Sequence, residues 1–282
     1  MITLKQLSFH YENYKNLFEN MELNIPNGGI CGLLGKNGSG KTTLLKIISG
    51  LVFPTGGSCR VLEHNPSARQ PGFLQDIYYL PEDLYVPALS VETYLNFYAS
   101  FYPRFDQAML QNYLKEFELP QDKLLSTFSH GQKKKFLIAF GLATHSRILL
   151  LDEPTNGLDI PSKTQFRKLL AATITDEKLF IISTHQVHDV ENLIDSIVVL
   201  DEGKIIFHED LLRITQALAF TQQAIEPAAS NCIYSEKQLG GYHTISENIK
   251  GLDTEINLET LFNAILTQKQ KIQAIFSEDK QS

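Results

Sequence analysis

The segment Gly35-Lys36-Asn37-Gly38-Ser39-Gly40-Lys41-Thr42 constrains this chain more than any other stretch, because it fixes a local fold together with a chemistry. The apolar run Gly29-Ile30-Cys31-Gly32-Leu33-Leu34 precedes it, and Thr42-Thr43-Leu44-Leu45-Lys46-Ile47-Ile48-Ser49 follows with apolar positions at helical spacing. Strand, glycine loop and helix in that order make a phosphate-binding loop. The glycines let backbone N–H groups close around phosphate oxygens, and the helix N-terminus adds its partial positive charge. Lys41 bridges the outer phosphates and Thr42 holds Mg²⁺, so the motif asks for a nucleotide with its metal.

The remaining pattern predicts the sheet around this loop. Short apolar stretches at 3–7 and 23–25 read as early strands, and further buried strands recur at 148–151, 179–183 and 197–200 with helical segments between them. Strands alternating with helices argue for an α/β fold with a mainly parallel sheet. Residues 90–128 turn helical, with Ser90 as N-cap, Glu92 in the first turn and Tyr94, Leu95, Phe97, Tyr98 and Phe101 clustered behind it. Beyond about Thr215 the pattern weakens to a hairpin at Gly240-Gly241 and an amphipathic helix capped by Asn257 and carrying Leu258, Leu261, Phe262 and Ile265. No internal repeat is evident, which argues against two tandem copies of one unit.

Composition narrows the class. With 43% hydrophobic and 20% charged residues the chain is an ordinary globular one, and a formal net charge of −7 argues against a chain-wide basic surface for nucleic acid. Cys31, Cys59 and Cys232 form neither a disulfide framework nor a metal knuckle, which fits a reducing cytosol. Cys31, in the strand before the loop, reads as a small buried hydrophobe. The start Met1-Ile2-Thr3-Leu4-Lys5-Gln6 lacks the features of a signal peptide, and apolar runs such as 136–140 and 148–151 are too short to cross a bilayer. Any membrane role is expected to be peripheral.

Ile148-Leu149-Leu150-Leu151-Asp152-Glu153 delivers two carboxylates from a buried strand to the edge where parallel sheets bind ligands. With the phosphate loop upstream, Asp152 suits the outer shell of Mg²⁺ and Glu153 suits orientation of an attacking water. His185 follows the strand at 179–183 and is expected at the same edge.

From here the chain resembles the ATP-binding cassette (ABC) ATPases, over roughly residues 1–210 and in that family's motif order. Gly35 to Thr42, with Thr43 beside it, is the Walker A loop, Asp152-Glu153 completes Walker B, and Tyr11 looks like the aromatic that stacks on adenine, with Tyr14 as its competitor. Ser129-His130-Gly131-Gln132 is similar to the signature motif, Gly157-Leu158-Asp159 to the D-loop, and His185 to the switch histidine. Glu82, in Tyr79-Leu80-Pro81-Glu82, stands where the family usually has a Gln; the carboxylate still ligates Mg²⁺ or its water but cannot donate an amide hydrogen bond. His130 replaces a usual Gly, while the Ser129 hydroxyl and the Gly131 N–H survive as contact atoms. Lys133-Lys134-Lys135 reads as a solvated helix face, and His188 as a plain helix-surface residue.

The resemblance implies a P-loop NTPase core over 1–215, with an N-terminal antiparallel β subdomain, a helical signature subdomain at about 84–145 and a small α+β appendage at 216–282. It implies ATP and Mg²⁺ at Lys41 and Thr42, catalysis by Glu153 with His185 and Glu82, and contacts in trans from Ser129, His130, Gly131, Gln132 and Asp159 of a second ABC ATPase subunit, expected as a homodimer. A separate multi-span membrane permease, met by the segment from Glu82 to Tyr98, would place the chain in the cytoplasm, peripheral on the inner face of the cell membrane. The Tyr-Leu-Pro-Glu wording and the appendage look more like exporter-type subunits. The competing expectation is an ABC ATPase acting on ribosomes or nucleic acid; the double cassette with charged linker, or the long coiled coil, of those members is not found in this sequence.

Overall fold

The structure is a computed structural model and describes residues 1–12, 16–26, 28–228 and 232–278. In chain order, strands β1 (Ile2–Phe9), β2 (Phe18–Ile25) and β3 (Ile30–Leu34) lead into helix α1 (Lys41–Ile48), then β4 (Gly56–Val61), the short α2 (Pro71–Leu74) and β5 (Ile77–Leu80). A helical block of α3 (Val91–Tyr98), α4 (Gln107–Glu116) and α5 (His130–Ala143) follows. The chain then alternates through β6 (Ile148–Asp152), α6 (Ile160–Thr173), β7 (Leu179–Thr184), β8 (Ser196–Asp201) and β9 (Lys204–Asp210). It ends in α7 (Leu211–Ala217), β10 (Leu218–Gln223), β11 (Tyr234–Gln238), β12 (Gly241–Glu247), α8 (Leu258–Thr267) and α9 (Lys269–Glu278).

A six-stranded sheet of order β5-β6-β7-β3-β8-β9 forms the centre, parallel except for β9. Its middle strands are buried on both faces, as parallel strands flanked by helices must be, and their side chains alternate between two cores. Phe180 and Ile182 of β7 join Tyr94, Phe136 and Phe140 of the helical block, whereas Leu179 and Ile181 join Leu44 and Leu45 of α1 and Ile2 and Leu4 of β1. Each such fully buried side chain contributes about 1.5–3 kcal/mol. The second core is closed by the antiparallel sheet β2-β1-β4, the expected N-terminal subdomain.

Register brings the site together. Asp152 of β6 lies opposite Ser183 of β7, and Leu34 of β3 lies opposite Thr184. The three strands therefore finish at one edge, and whatever follows each of them meets there.

The expected hairpin closes at Gln238 and Gly241, and Asn257 caps α8 by accepting the Thr260 N–H at 2.8 Å. A third strand, β10, and the helix α9 complete this C-terminal unit beyond the expected hairpin and helix. Strand β10 alternates too little to be read from sequence, with three buried residues followed by three exposed ones. Its Phe220, with Ile245, Leu261 and Ile265, packs into the same core as the helical block, and Phe207 meets Phe276 edge-to-face at 5.1 Å.

His188 lies on the surface as expected, but makes a contact that its neighbours in sequence do not announce. It lies in a turn just after β7, where its Nε2 is 2.6 Å from Glu259 Oε2 of α8, while Glu191 accepts the Leu258 N–H at 2.8 Å. The hydrogen bond that His188 donates to the Glu259 carboxylate raises its pKa above the ordinary value, against the opposing pull of burial. These contacts tie the segment after His185 to the first turn of α8.

Candidate functional site

The glycine loop between β3 and α1 is shaped by what surrounds it. Gly40 sits at φ +109°, and a Cβ there would lie 2.7 Å from the Phe18 ring, so no other residue fits this corner. The Ser39 hydroxyl, 5% exposed, is a buried polar atom with no hydrogen-bond partner among the described residues. A phosphate oxygen is the partner such a group lacks.

Lys41 is buried with it. Its Nζ donates to the Gly35 carbonyl at 2.7 Å and the Lys36 carbonyl at 3.2 Å, and lies 3.9 Å from Glu153 Oε1. Burial lowers the Lys41 pKa, opposed by the Glu153, Asp152 and Glu82 carboxylates. The ammonium is folded onto the loop's own carbonyls and is free to exchange them for phosphate oxygens.

The Walker B pair divides in two. Asp152, fully buried at the end of β6, accepts from the Ser183 hydroxyl and from the Tyr79 hydroxyl at 3.4 Å. Burial, then the charge of Asp152, pushes the Tyr79 pKa well above its usual value. Glu153 turns the chain with φ +46°, its N–H held by the Ser183 carbonyl at 3.1 Å. Its Oε1 accepts from the His185 backbone N–H at 3.1 Å and meets His185 Nδ1 at 2.8 Å.

These groups surround a cavity of about 840 Å³ at the sheet edge, lined by Asn37, Gly38, Gly40, Lys41, Thr42 and Thr43, with Glu82, Glu153, Asn156 and His185 opposite. Tyr11 lines its mouth, its hydroxyl 3.0 Å from that of Thr43 and its ring edge-on to Phe9. Tyr14 lies outside the described residues. Glu82 Oε1 accepts from the Asn156 amide at 3.4 Å. Asn156, Tyr79 and Ser183 join the site without any mark in the sequence, since an Asn in a loop, a Tyr in a strand and a Ser before a Thr carry no spacing signal.

The signature residues do not line this cavity. Ser129 caps α5: its hydroxyl accepts the Gln132 N–H at 3.2 Å and Gln132 Oε1 accepts the Ser129 N–H at 3.0 Å, a reciprocal capping box. The Ser-x-x-Gln spacing was a legible signal for that cap. His130 lies against Gly157, which has φ +78° and whose Cβ would meet the His130 ring at 3.0 Å. Asp159 caps α6 through the Ser162 N–H at 2.9 Å, and that hydrogen bonding keeps its carboxyl below the ordinary range.

The lysine run is not wholly a solvated face. Lys133 and Lys135 are partly exposed, but Lys134 is fully buried and donates to the carbonyls of Glu153 at 2.8 Å and Asn156 at 3.0 Å. One turn of helix separates surface from core, and nothing in three identical letters marks which one points inward. Cys31 is the buried hydrophobe expected, burial pushing its thiol up to about 12.

Comparison with known proteins agrees with this geometry. The family model described as ABC transporter matches residues 18–156. The Nickel import system ATP-binding protein NikE of Staphylococcus aureus is 30% identical over 216 residues, covering 73% of this chain and 89% of that protein. The chain belongs to the ATP-binding proteins of ABC transporters. The ABC transporter ATP-binding protein YtrB of Bacillus subtilis is 26% identical over 252 residues, 87% of this chain and 86% of that one. A solved "Structure of ATP binding subunit of ABC transporter" superposes with a TM-score of 0.67 at 25% identity, covering 76% of this chain and 91% of that one. As an ABC ATPase the chain binds and hydrolyses ATP. Among the described residues no helix is long and apolar enough to cross a membrane.

Proposed function

We propose that residues 1–215 act as one half of an ATP-driven clamp, in which two copies of this chain close head to tail and move a separate membrane subunit. The observation that carries this reading is the division just described: the cavity gathers Lys41, Thr42, Glu153 and His185 of one chain, while Ser129 and Gly131 lie away from it. A second copy would bring its Ser129 hydroxyl, Gly131 N–H and Asp159 to the exposed phosphates. ATP then joins the two chains, and its hydrolysis releases them.

The chemistry assigned to the residues is as follows. The loop amides, Ser39 and Lys41 cradle the phosphates, and Tyr11 supports the base. Glu153 orients a water toward the γ-phosphorus and draws on its proton as the bond to the ADP oxygen breaks, while His185 steadies the carboxylate and the departing phosphate. Mg²⁺ would be held by the Thr42 hydroxyl and, through water, by Asp152 and Glu82, and would supply positive charge against the phosphates. The Ser39 hydroxyl and the carboxylates behind it fit that assembly.

The membrane subunit is assigned to the face around Tyr85, Phe97 and Phe101, which are 85%, 62% and 65% exposed on the helical block beside Glu82. Aromatic groups this exposed on one block suit a protein partner. On this reading the chain works at the cytoplasmic face of the membrane. The outward direction suggested by the sequence wording stands within this proposal; a relative of comparable identity is named for an import system.

Glu153→Gln tests the site. It retains ATP binding and loses the water-polarising carboxylate, so ATP-stabilised dimers are expected to accumulate on gel filtration. Rapid turnover by this variant would remove Glu153 from the role.

A further inference from the structure

A buried cation stands where the mechanism above has no use for one. Lys134, in the second turn of α5, is fully buried, and among the described residues no carboxylate oxygen lies within ion-pair distance of its Nζ. Its partners are two backbone carbonyls, of Glu153 and Asn156. Taking an ammonium out of water costs several kcal/mol, and an apolar side chain of similar length would fill the same space without that cost. The cation therefore calls for a role beyond packing.

Both carbonyls belong to the turn between β6 and α6. Glu153 holds φ +46° there, a left-handed conformation that a non-glycine residue adopts only when its surroundings impose it. The Ser183 carbonyl fixes the Glu153 N–H and Lys134 fixes its C=O, so the peptide units on both sides of this one Cα are anchored and the carboxylate's aim into the cavity follows. The helix that carries Lys134 begins with Ser129 to Gln132, and His130 at its start lies against Gly157 in the stretch that follows Asn156. A shift of α5 when its first turn meets a partner's nucleotide thus acts on the same turn at two points.

We propose that Lys134 is a positioning residue for hydrolysis, its ammonium tying the signature helix to the backbone of Glu153 and Asn156 so that engagement of the signature sets the aim of the Glu153 carboxylate. The inference rests on the assignment of Glu153 as the group that orients water.

The test compares Lys134→Met, Lys134→Gln and Lys134→Arg in the full chain, reading ATP affinity by titration and turnover separately. Lys134→Met is expected to bind ATP within about twofold of wild type while kcat falls about 100-fold, the penalty of misplacing a reacting group by an ångström. Lys134→Arg restores the charge and, with it, at least about tenfold of the lost kcat. Should Lys134→Met fail to fold, Lys134→Gln, which keeps donors for the two carbonyls but no charge, is read by the same split. A folded variant with near wild-type kcat, or one whose affinity and kcat fall together, overturns the proposal. Glu153→Gln run in parallel separates the two claims: if it still turns over, the assignment of Glu153 fails; if it is inactive while Lys134→Met is not, only the role of Lys134 fails.

Discussion

At the carboxyl edge of the central sheet the hydrogen-bonding groups point inward to one cavity; at the start of α5 they close on themselves. Lys41, Glu153 and His185 are linked by contacts of 3.9 and 2.8 Å, and Ser39 waits with an unpaired hydroxyl. Ser129 and Gln132 satisfy each other in a capping box. The difference teaches where binding energy is stored. The first region has a cation and an orphan donor ready for phosphate, so it gains on binding without help. The second loses nothing by facing solvent, and gains only when another chain's nucleotide arrives.

Substitutions can break that contrast or sharpen it. The largest effect is expected for Lys41→Ala, which removes the main phosphate cation: ATP affinity falls at least about 100-fold by calorimetric titration, with folding retained. Ser129→Arg leaves the affinity of the isolated chain unchanged but abolishes hydrolysis, because only the paired state uses that residue. A fall in affinity would erase the contrast. Tyr85→Asp is expected to reduce transport about tenfold or more with ATP hydrolysis preserved, since that side chain is exposed and does not line the nucleotide cavity. Leu84 is a poorer choice for this test, being packed against the core.

Smaller effects probe each region's own stability. Ser39→Ala deletes the unpaired hydroxyl, so the ATP-free protein gains about 1 kcal/mol by thermal melting while ATP affinity drops about tenfold. The His188–Glu259 contact has a pH dependence of defined sign. Its raised folded-state pKa means the contact's stability is fully present below about pH 6.5 and fades as pH rises through the raised value. With the His188 side chain 62% exposed, His188→Ala should cost no more than about 0.5 kcal/mol at pH 6 and nothing at pH 9.

Much of this was legible in the letters. The glycine loop, the aliphatic run ending in Asp152-Glu153 and the position of His185 fixed a parallel sheet with its ligand edge, because each depends on spacing within one segment. Ser90 and Asn257 cap helices where their types and offsets indicated. What stayed hidden depends on contacts between distant segments. Lys134 is distinguished from Lys133 and Lys135 only by the turn of α5 that aims it at β6, and His188 acquires its meaning from Glu259, far along the chain. Strand β4 begins with two glycines and has a mostly exposed face, so its pairing with β1, and not its composition, makes it a strand.

The most direct test of a site shared between two chains mixes two inactive proteins. Lys41→Ala keeps an intact signature, and Ser129→Arg keeps an intact nucleotide cavity, so a mixed dimer contains one complete site. If the site is built across two copies of this chain, an equimolar mixture recovers ATP hydrolysis toward about a quarter of wild-type activity, the share set by random pairing in a two-fold dimer. Activity that stays at the level of either protein alone would contradict the account.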